Sequence, residues 1–516
     1  MASLFRIPAV ISRVLGVCAA CCMAAAGAQE AADDALSPTR SAIRLTTETL
    51  NLPDSDAMNW GGAELLFDVG ESLRLGIGSY GAMAGTHGGF ITIGGAAEMR
   101  SRLGAAWWGH AGLFVGAGGG NSAPTLAGDG LFWRADLGLS YGSRYGELGF
   151  GLSHVRFPTG QIDSTQPYLR YEYPFYSLLE PVGRSDTPAM IGGAASDRGA
   201  WHQSFGIVVR HYRIPSSVLR VDAQPQHGVM QLLGVEWQAA WGERGFVLFE
   251  ATGALGGDSS GYMQILGGAG YRWAMTAEGT LKLHAAAGPA GGGGVDTEGG
   301  LLFDVGLAWQ QRLSARSSVE LGVGEVRSSA GGFRAHSLGL KLQHHFGLPV
   351  VGDAALSRSE LQGLAPLALR VRLAQQSYHG LRPQWRRSEA GRSVGNLGVQ
   401  LDYFFTPHLF LTGQALAAAS GHAGAYMTGQ LGVGAQWPLA SRWFVEGEAL
   451  LGAAGGGGLA TGSGLVLQSQ ASLGYRLSPS LSLLASRGRV RAVSGEFEAD
   501  VVGVSLAYRF GAWVSP

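Results

Sequence analysis

Residues Val501–Phe510 read VVGVSLAYRF. Val502, Val504, Leu506, Tyr508 and Phe510 are apolar, whereas Gly503, Ser505, Ala507 and Arg509 are small or polar. A period of two held over about ten residues predicts a β-strand with two faces of different character. The same alternation runs through YMQILGGAGYRW (Tyr262–Trp273), LLFDVGLAWQQR (Leu301–Arg312) and AYMTGQLGVGAQW (Ala425–Trp437).

Working outward, these stretches repeat. SGYMQILGGAGYRW at Ser260–Trp273 aligns with GAYMTGQLGVGAQW at Gly424–Trp437, an offset of 164 residues. The same offset brings the run AGPAGGGGV (Ala287–Val295) onto LGAAGGGGL (Leu451–Leu459). GGFITIGGAAEMR (Gly88–Arg100) opens a weaker first copy, and FVGAGGGNS (Phe114–Ser122) carries its glycine run. The parse gives three units, residues 41–175, 204–346 and 367–510, each with eight strand-like stretches. Linkers 176–203 and 347–366 separate them, 29–40 precede them and 511–516 follow as a tail. Compact turns such as WGERG (Trp241–Gly245) alternate with Gly- and Ser-rich loops such as GGDSSG (Gly256–Gly261), the plan of an up-and-down antiparallel barrel. Each glycine run ends a fifth strand, where a loop needs positive φ and close backbone approach. A phosphate-cradling loop is excluded, because no run leads into Lys-Ser or Lys-Thr at the start of a helical pattern.

Composition bounds the class. The chain has 516 residues, 84 of them Gly, and a formal net charge of −1, so it has no basic footprint for nucleic acid. Residues 1–28 read as a secretory signal: Arg6 and Arg13, then an apolar core from Val14 to Ala25, then Ala26-Gly27-Ala28. All three Cys (Cys18, Cys21, Cys22) fall inside it, which leaves no disulfide or thiolate metal site in the remainder. No later run of 18 apolar residues marks a membrane helix. Strands must then package a 46% hydrophobic content.

At this point the chain resembles Gram-negative outer-membrane β-barrel proteins. Its last strand is similar to the signal read by the barrel-assembly machinery, with Leu506, Tyr508 and Phe510 as alternating hydrophobics ending in an aromatic, although GAWVSP follows. The first two units close similarly, with LRYEYPF (Leu169–Phe175) and LGLKLQHHF (Leu338–Phe346). The resemblance implies an outer-membrane location with lipid and lipopolysaccharide as surroundings, assembly by that machinery, and periplasmic linkers open to partners. It implies no cofactor.

Two architectures fit 24 strands. One barrel of all 24 would be roughly 45–50 Å across, and it is the first expectation because joined strands leave no edge in hydrocarbon. Three separate eight-stranded barrels, filled by side chains, are the alternative. Expected lumen-lining residues are Arg134, Asp136, Lys282, His284, Gln430, Glu446, Glu448, Gln468 and Gln470, with abundant lumen-side Gly leaving room. Such a mild surface suits a passive or partner-gated conduit, for a polymer such as an exopolysaccharide or for broad solute passage. Non-conducting structural barrels are the alternative function.

In the loop HGLRPQWRRSEAGRS (His379–Ser393), Arg382, Arg386, Arg387 and Arg392 flank Trp385, a pattern suited to an anionic glycan or lipid. Trp107, Trp108, Trp201, Trp273, Trp437 and Trp443 are expected in an aromatic girdle. A lipid-ester hydrolase would need an activated Ser, and His202-Gln203-Ser204 is the pair that could supply it. Chance explains that pair better, and the expected reading is not an enzyme. His344-His345 point to opposite faces of a strand and make a poor metal site.

Overall fold

The computed structural model describes residues 35–53, 57–120, 123–181, 200–226, 228–387 and 393–515. The signal segment 1–28 and Arg392 lie outside the described residues. Twenty-four long antiparallel strands, each 11 to 17 residues, make up the body of the fold. At about 3.4 Å per residue and a tilt near 40°, eleven residues rise close to the 25 Å apolar band of a membrane barrel.

The strands close as three barrels, the second of the two architectures, and not as one wide one. The first barrel runs from strand Thr39–Leu50 to Asp163–Ser177, which pair in register from Thr39↔Ser177 to Glu48↔Tyr168. The second closes Ala200–Arg213 on Arg334–Pro349, and the third closes Ala365–Gly380 on Glu498–Val514. The reason is internal complementarity. Each unit's inward acids and bases find partners within that unit, and its own first and last strands satisfy each other's edge.

The last strand continues through the sequence that reads as a tail, with Ala365 opposite Val514. Beyond Phe510 it is also held from the linkers. Leu179–Pro181 pair with Phe510–Ala512, and Ser515 bridges to Gly347. A second short pair joins Ala35–Leu36 to Leu356–Ser357, over a cluster of Leu36, Leu178 and Leu361 with Trp513 packed on it. The described parts of both linkers therefore sit at the short-turn end and tie the barrels together there.

The barrels meet through equivalent positions in a ring. The third strand of each, Leu73–Ala84, Gly245–Gly256 or Leu409–Ser420, packs on the fifth strand of another, Gly279–Gly291, Trp443–Gly455 or Trp107–Gly119 respectively. Along these strands Gly81 meets Pro289 and Gly253 meets Ala453, while Ala417 and Ala117 share one buried cluster. Since 81, 253 and 417 are equivalent positions, as are 117, 289 and 453, the arrangement is a three-fold ring built within one chain.

The glycine runs of the second and third copies lie in this contact. A Cβ on Gly89 would stand 2.3 Å from the Gly292 nitrogen, and one on Gly455 would stand 2.2 Å from the Gly261 nitrogen. Loop backbone packs directly on loop backbone of the neighbouring barrel.

Candidate functional site

Inward-pointing positions of each barrel build three interiors, each with the same two layers. At the long-loop end sits an apolar plug. In the first barrel Trp60, Tyr80, Phe90, Phe114, Phe132 and Phe157 are all buried, with Phe132 stacked on Phe157 at 4.9 Å. Tyr212, Tyr262 and Phe333 play this part in the second barrel, and Tyr378, Trp385, Tyr426 and Phe497 in the third.

Below each plug the lumen is crossed by ion pairs. In the first barrel Arg44 reaches Glu64 at 3.0 Å, Glu98 at 2.5 Å and Glu172 at 3.1 Å. Arg74 adds Glu172 at 2.7 Å and Arg170 adds Glu98 at 2.6 Å, while Arg134 holds Glu48 at 2.8 Å and Asp136 at 2.6 Å. His110 Nε2 and the Tyr168 hydroxyl lie 2.5 Å apart in the same layer.

The second barrel uses Arg210, which donates to both Glu250 oxygens at 2.7 Å and meets Asp304 at 2.9 Å. Lys282 and Lys341 both hold Glu320, at 2.6 and 3.1 Å, and Lys341 also holds Glu236 at 2.6 Å. A void of about 10 Å³ lies among Arg210, His284, Asp304 and Lys341, room for about one water.

In the third barrel Arg370 and Arg372 share Asp402 at 2.7 Å each; Arg370 also pairs with Glu446, and Arg372 with Glu448 at 2.5 Å. A glutamine relay continues this layer, with Gln376, Gln414, Gln430 and Gln468 linked at 2.9 to 3.4 Å. Gln468 then donates to Gln470 at 3.0 Å, and Gln470 donates to Glu448.

Every expected lumen residue thus lies inside a barrel: Arg134, Asp136, Lys282, His284, Gln430, Glu446, Glu448, Gln468 and Gln470. They do not line an open channel, because each is bonded to a neighbour and only the small void beside His284 is left. Gly149 and Gly434 are not vacancies either. A Cβ on Gly149 would lie 2.8 Å from the Arg170 side chain, and one on Gly434 would lie 2.2 Å from the Phe410 ring. Glycine here makes room for a large residue across the lumen. The sequence reading missed Arg44, Arg74, Glu98, Arg210, Asp304, Arg370, Arg372 and Asp402. A signal was present in the spacing of Arg370 and Arg372, two residues apart on one strand face.

Three of the expected contact residues in the arginine loop are held by their own barrel. Trp385 is 2% exposed and stacks on Phe497 at 6.2 Å, so it belongs to the third plug. Arg386 is buried and donates to the carbonyls of Gly421 and His422 at 2.9 and 3.0 Å. Arg387 donates its backbone N–H to Gly458 at 2.8 Å. Arg382 is exposed but bound to Glu498 at 2.7 Å and Glu496 at 3.2 Å. Trp385 and the guanidinium groups of Arg382 and Arg386 are thus held by an apolar anchor and local acceptors, while Arg387 is exposed.

Leu506, Tyr508 and Phe510 sit on the outer face of the last strand, half-buried. Trp107, Trp273, Trp437 and Trp443 are exposed near the short-turn ends. Trp108 instead points inward, where Arg100 lies over its ring at 3.9 Å. Trp201 faces outward between Phe175 and Trp237. Ser204 is buried on the inner face and His202 is exposed at the rim, so neither presents a nucleophile to lipid. Among the described residues no group of three His, Cys, Asp or Glu is placed to hold a metal.

The outer wall is apolar. Leu137, Leu148, Phe150, Leu321, Leu340, Val433 and Leu451 are all exposed on it. No helix of the described residues is long and apolar enough to cross a membrane.

No family model matches this chain, and no curated protein matches it. Several solved structures do. The ferric enterobactin receptor PfeA of Pseudomonas aeruginosa is 10% identical over 92% of this chain and 82% of its own, with a TM-score of 0.29. OpdQ of the same organism is 9% identical over 93% of this chain and 98% of its own, with a TM-score of 0.20. A de novo designed transmembrane β-barrel is 17% identical over 28% of this chain and 94% of its own, with a TM-score of 0.20.

Proposed function

We propose that this protein resides in the outer membrane of a Gram-negative bacterium as a non-conducting, three-barrel structural element. The observation that carries the reading is the double closure of every lumen, an apolar plug above a layer of buried ion pairs. Exposed aliphatic residues around strands of membrane-spanning length support the location. The outward positions of each fourth strand lie between that barrel's two contact edges. They are apolar or small, as with Gly95, Ala97, Gly267, Ala269, Leu431 and Val433, and such a wall favours lipid over water.

The filled interiors favour this structural reading over the conduit reading. Single-channel recording of the refolded protein in a planar bilayer tests it, with a heat-dependent gel shift as proof of folding. Folded protein is expected to give no steps. Reproducible nanosiemens-scale steps would reinstate a conduit.

A further inference from the structure

The seventh strands of the three barrels, Gly146–Arg156, Ser317–Ser328 and Leu481–Ala492, carry one motif in three versions. Val155, Val326 and Val490 are equivalent buried positions that point inward. The outward residues on either side of them are His154 and Arg156, Glu325 and Arg327, then Arg489 and Arg491. One outward step toward the short-turn end stand Leu152, 60% exposed, and Val323, 58% exposed. These are the last aliphatic rungs of the outer wall. In the third barrel that rung is Arg487.

The third barrel alone therefore turns Arg487, Arg489 and Arg491 outward in one line, all exposed and about 7 Å apart along the strand. Two carboxylates border the line: Glu498 takes Arg382 at 2.7 Å, and Arg489 forms long ion pairs with Glu498 at 3.9 Å and Asp500 at 3.8 Å. His379 lies opposite Asp500 on the first strand. Among the described residues no ion pair reaches Arg487 or Arg491. Across the ladder Arg487 faces Ala471 and Val502, and neither offers an acceptor side chain.

A guanidinium where the two sister barrels have Leu and Val is costly on a lipid-facing wall unless an anion meets it. An arginine fork is suited to phosphate, which it can bind with two parallel hydrogen bonds. We propose that the Arg487–Arg489–Arg491 line seats a phosphorylated, acylated saccharide lipid of the outer leaflet. The phosphate lies on the arginines, and the acyl chains run down past Ala485, Leu483, Val502 and Val504. A lipid is favoured over a protein because the line continues directly into the exposed aliphatic wall, at the depth where that wall ends in the sister barrels.

The proposal rests on the membrane reading but not on whether the barrels conduct. The test uses the full chain in detergent micelles and native mass spectrometry. The probes are lipid A bearing its phosphates and the same lipid dephosphorylated. The variant Arg487→Leu with Arg489→His gives the third barrel the residues of the first, and Arg487→Gln alone is the milder change. Wild type is expected to hold the phosphorylated lipid about ten-fold more tightly than the double variant does. It is also expected to prefer that lipid to the dephosphorylated form. Equal retention by folded wild type and both variants would overturn the site, as would no preference for phosphate. So would loss of a stoichiometric bound protein from the variants with lipid retention unchanged. None of these results alters the expected silence in a planar bilayer.

Discussion

Gly81 of the first barrel faces Pro289 of the second so closely that a Cβ on Gly81 would stand 2.6 Å from the Pro289 Cβ. The two strands carrying them have no hydrogen bonds to each other, so this approach is packing alone. Gly81→Val must push the barrels apart and should cost about 1–3 kcal/mol of stability, as overpacking of close-packed contacts does. The effect should be coupled to its partner. Gly81→Ala with Pro289→Gly should recover most of the loss caused by Gly81→Ala alone in denaturant unfolding from micelles. Strictly additive losses would mean that the two residues do not touch.

Glu172 is the hub of the first lumen, 3.1 Å from Arg44 and 2.7 Å from Arg74, with Arg100 at 3.7 Å. Glu172→Ala removes one carboxylate from each of three buried guanidinium groups, Arg44, Arg74 and Arg100. Loss of one member of a buried pair costs about 3–5 kcal/mol. Unfolding curves should report that loss, while Glu71→Ala in an exposed turn serves as the unaffected control. An unfolding midpoint for Glu172→Ala equal to wild type would mean that water, not Glu172, neutralises the first lumen.

The strands were legible because alternation is local and strong, as in Val501–Phe510. Closure was not, since pairing of Thr39 with Ser177 or of Ala365 with Val514 is non-local, and alternation is identical in one barrel or three. The deciding fact is which acid meets which base. That depends on register around a whole ring, as when Arg44 reaches Glu172 on its neighbour and Glu98 three strands away in the other direction. Lumen glycines misled for a related reason. Gly149 and Gly434 read as space, and only the opposing Arg170 and Phe410 show that the space is taken. The line ending in Arg491 was legible, because comparing the three copies singles out Arg487.

Trp385 offers the sharpest contrast between a loop's composition and its role. Among arginines it reads as an exposed platform, yet it is 2% exposed, stacked on Phe497 and packed over Gly380, where a Cβ would lie 2.3 Å from its ring. Trp385→Ala should empty the third plug and cost about 3–5 kcal/mol, the usual penalty for removing a large buried ring. Arg382→Ala, at the exposed part of the same loop, should leave unfolding unchanged. Because the ion-pair layer of Arg370, Arg372 and Asp402 lies below the plug, the Trp385→Ala barrel should still pass no current. A channel that opened in this variant would show that the plug, and not the charged layer, is what closes the third lumen.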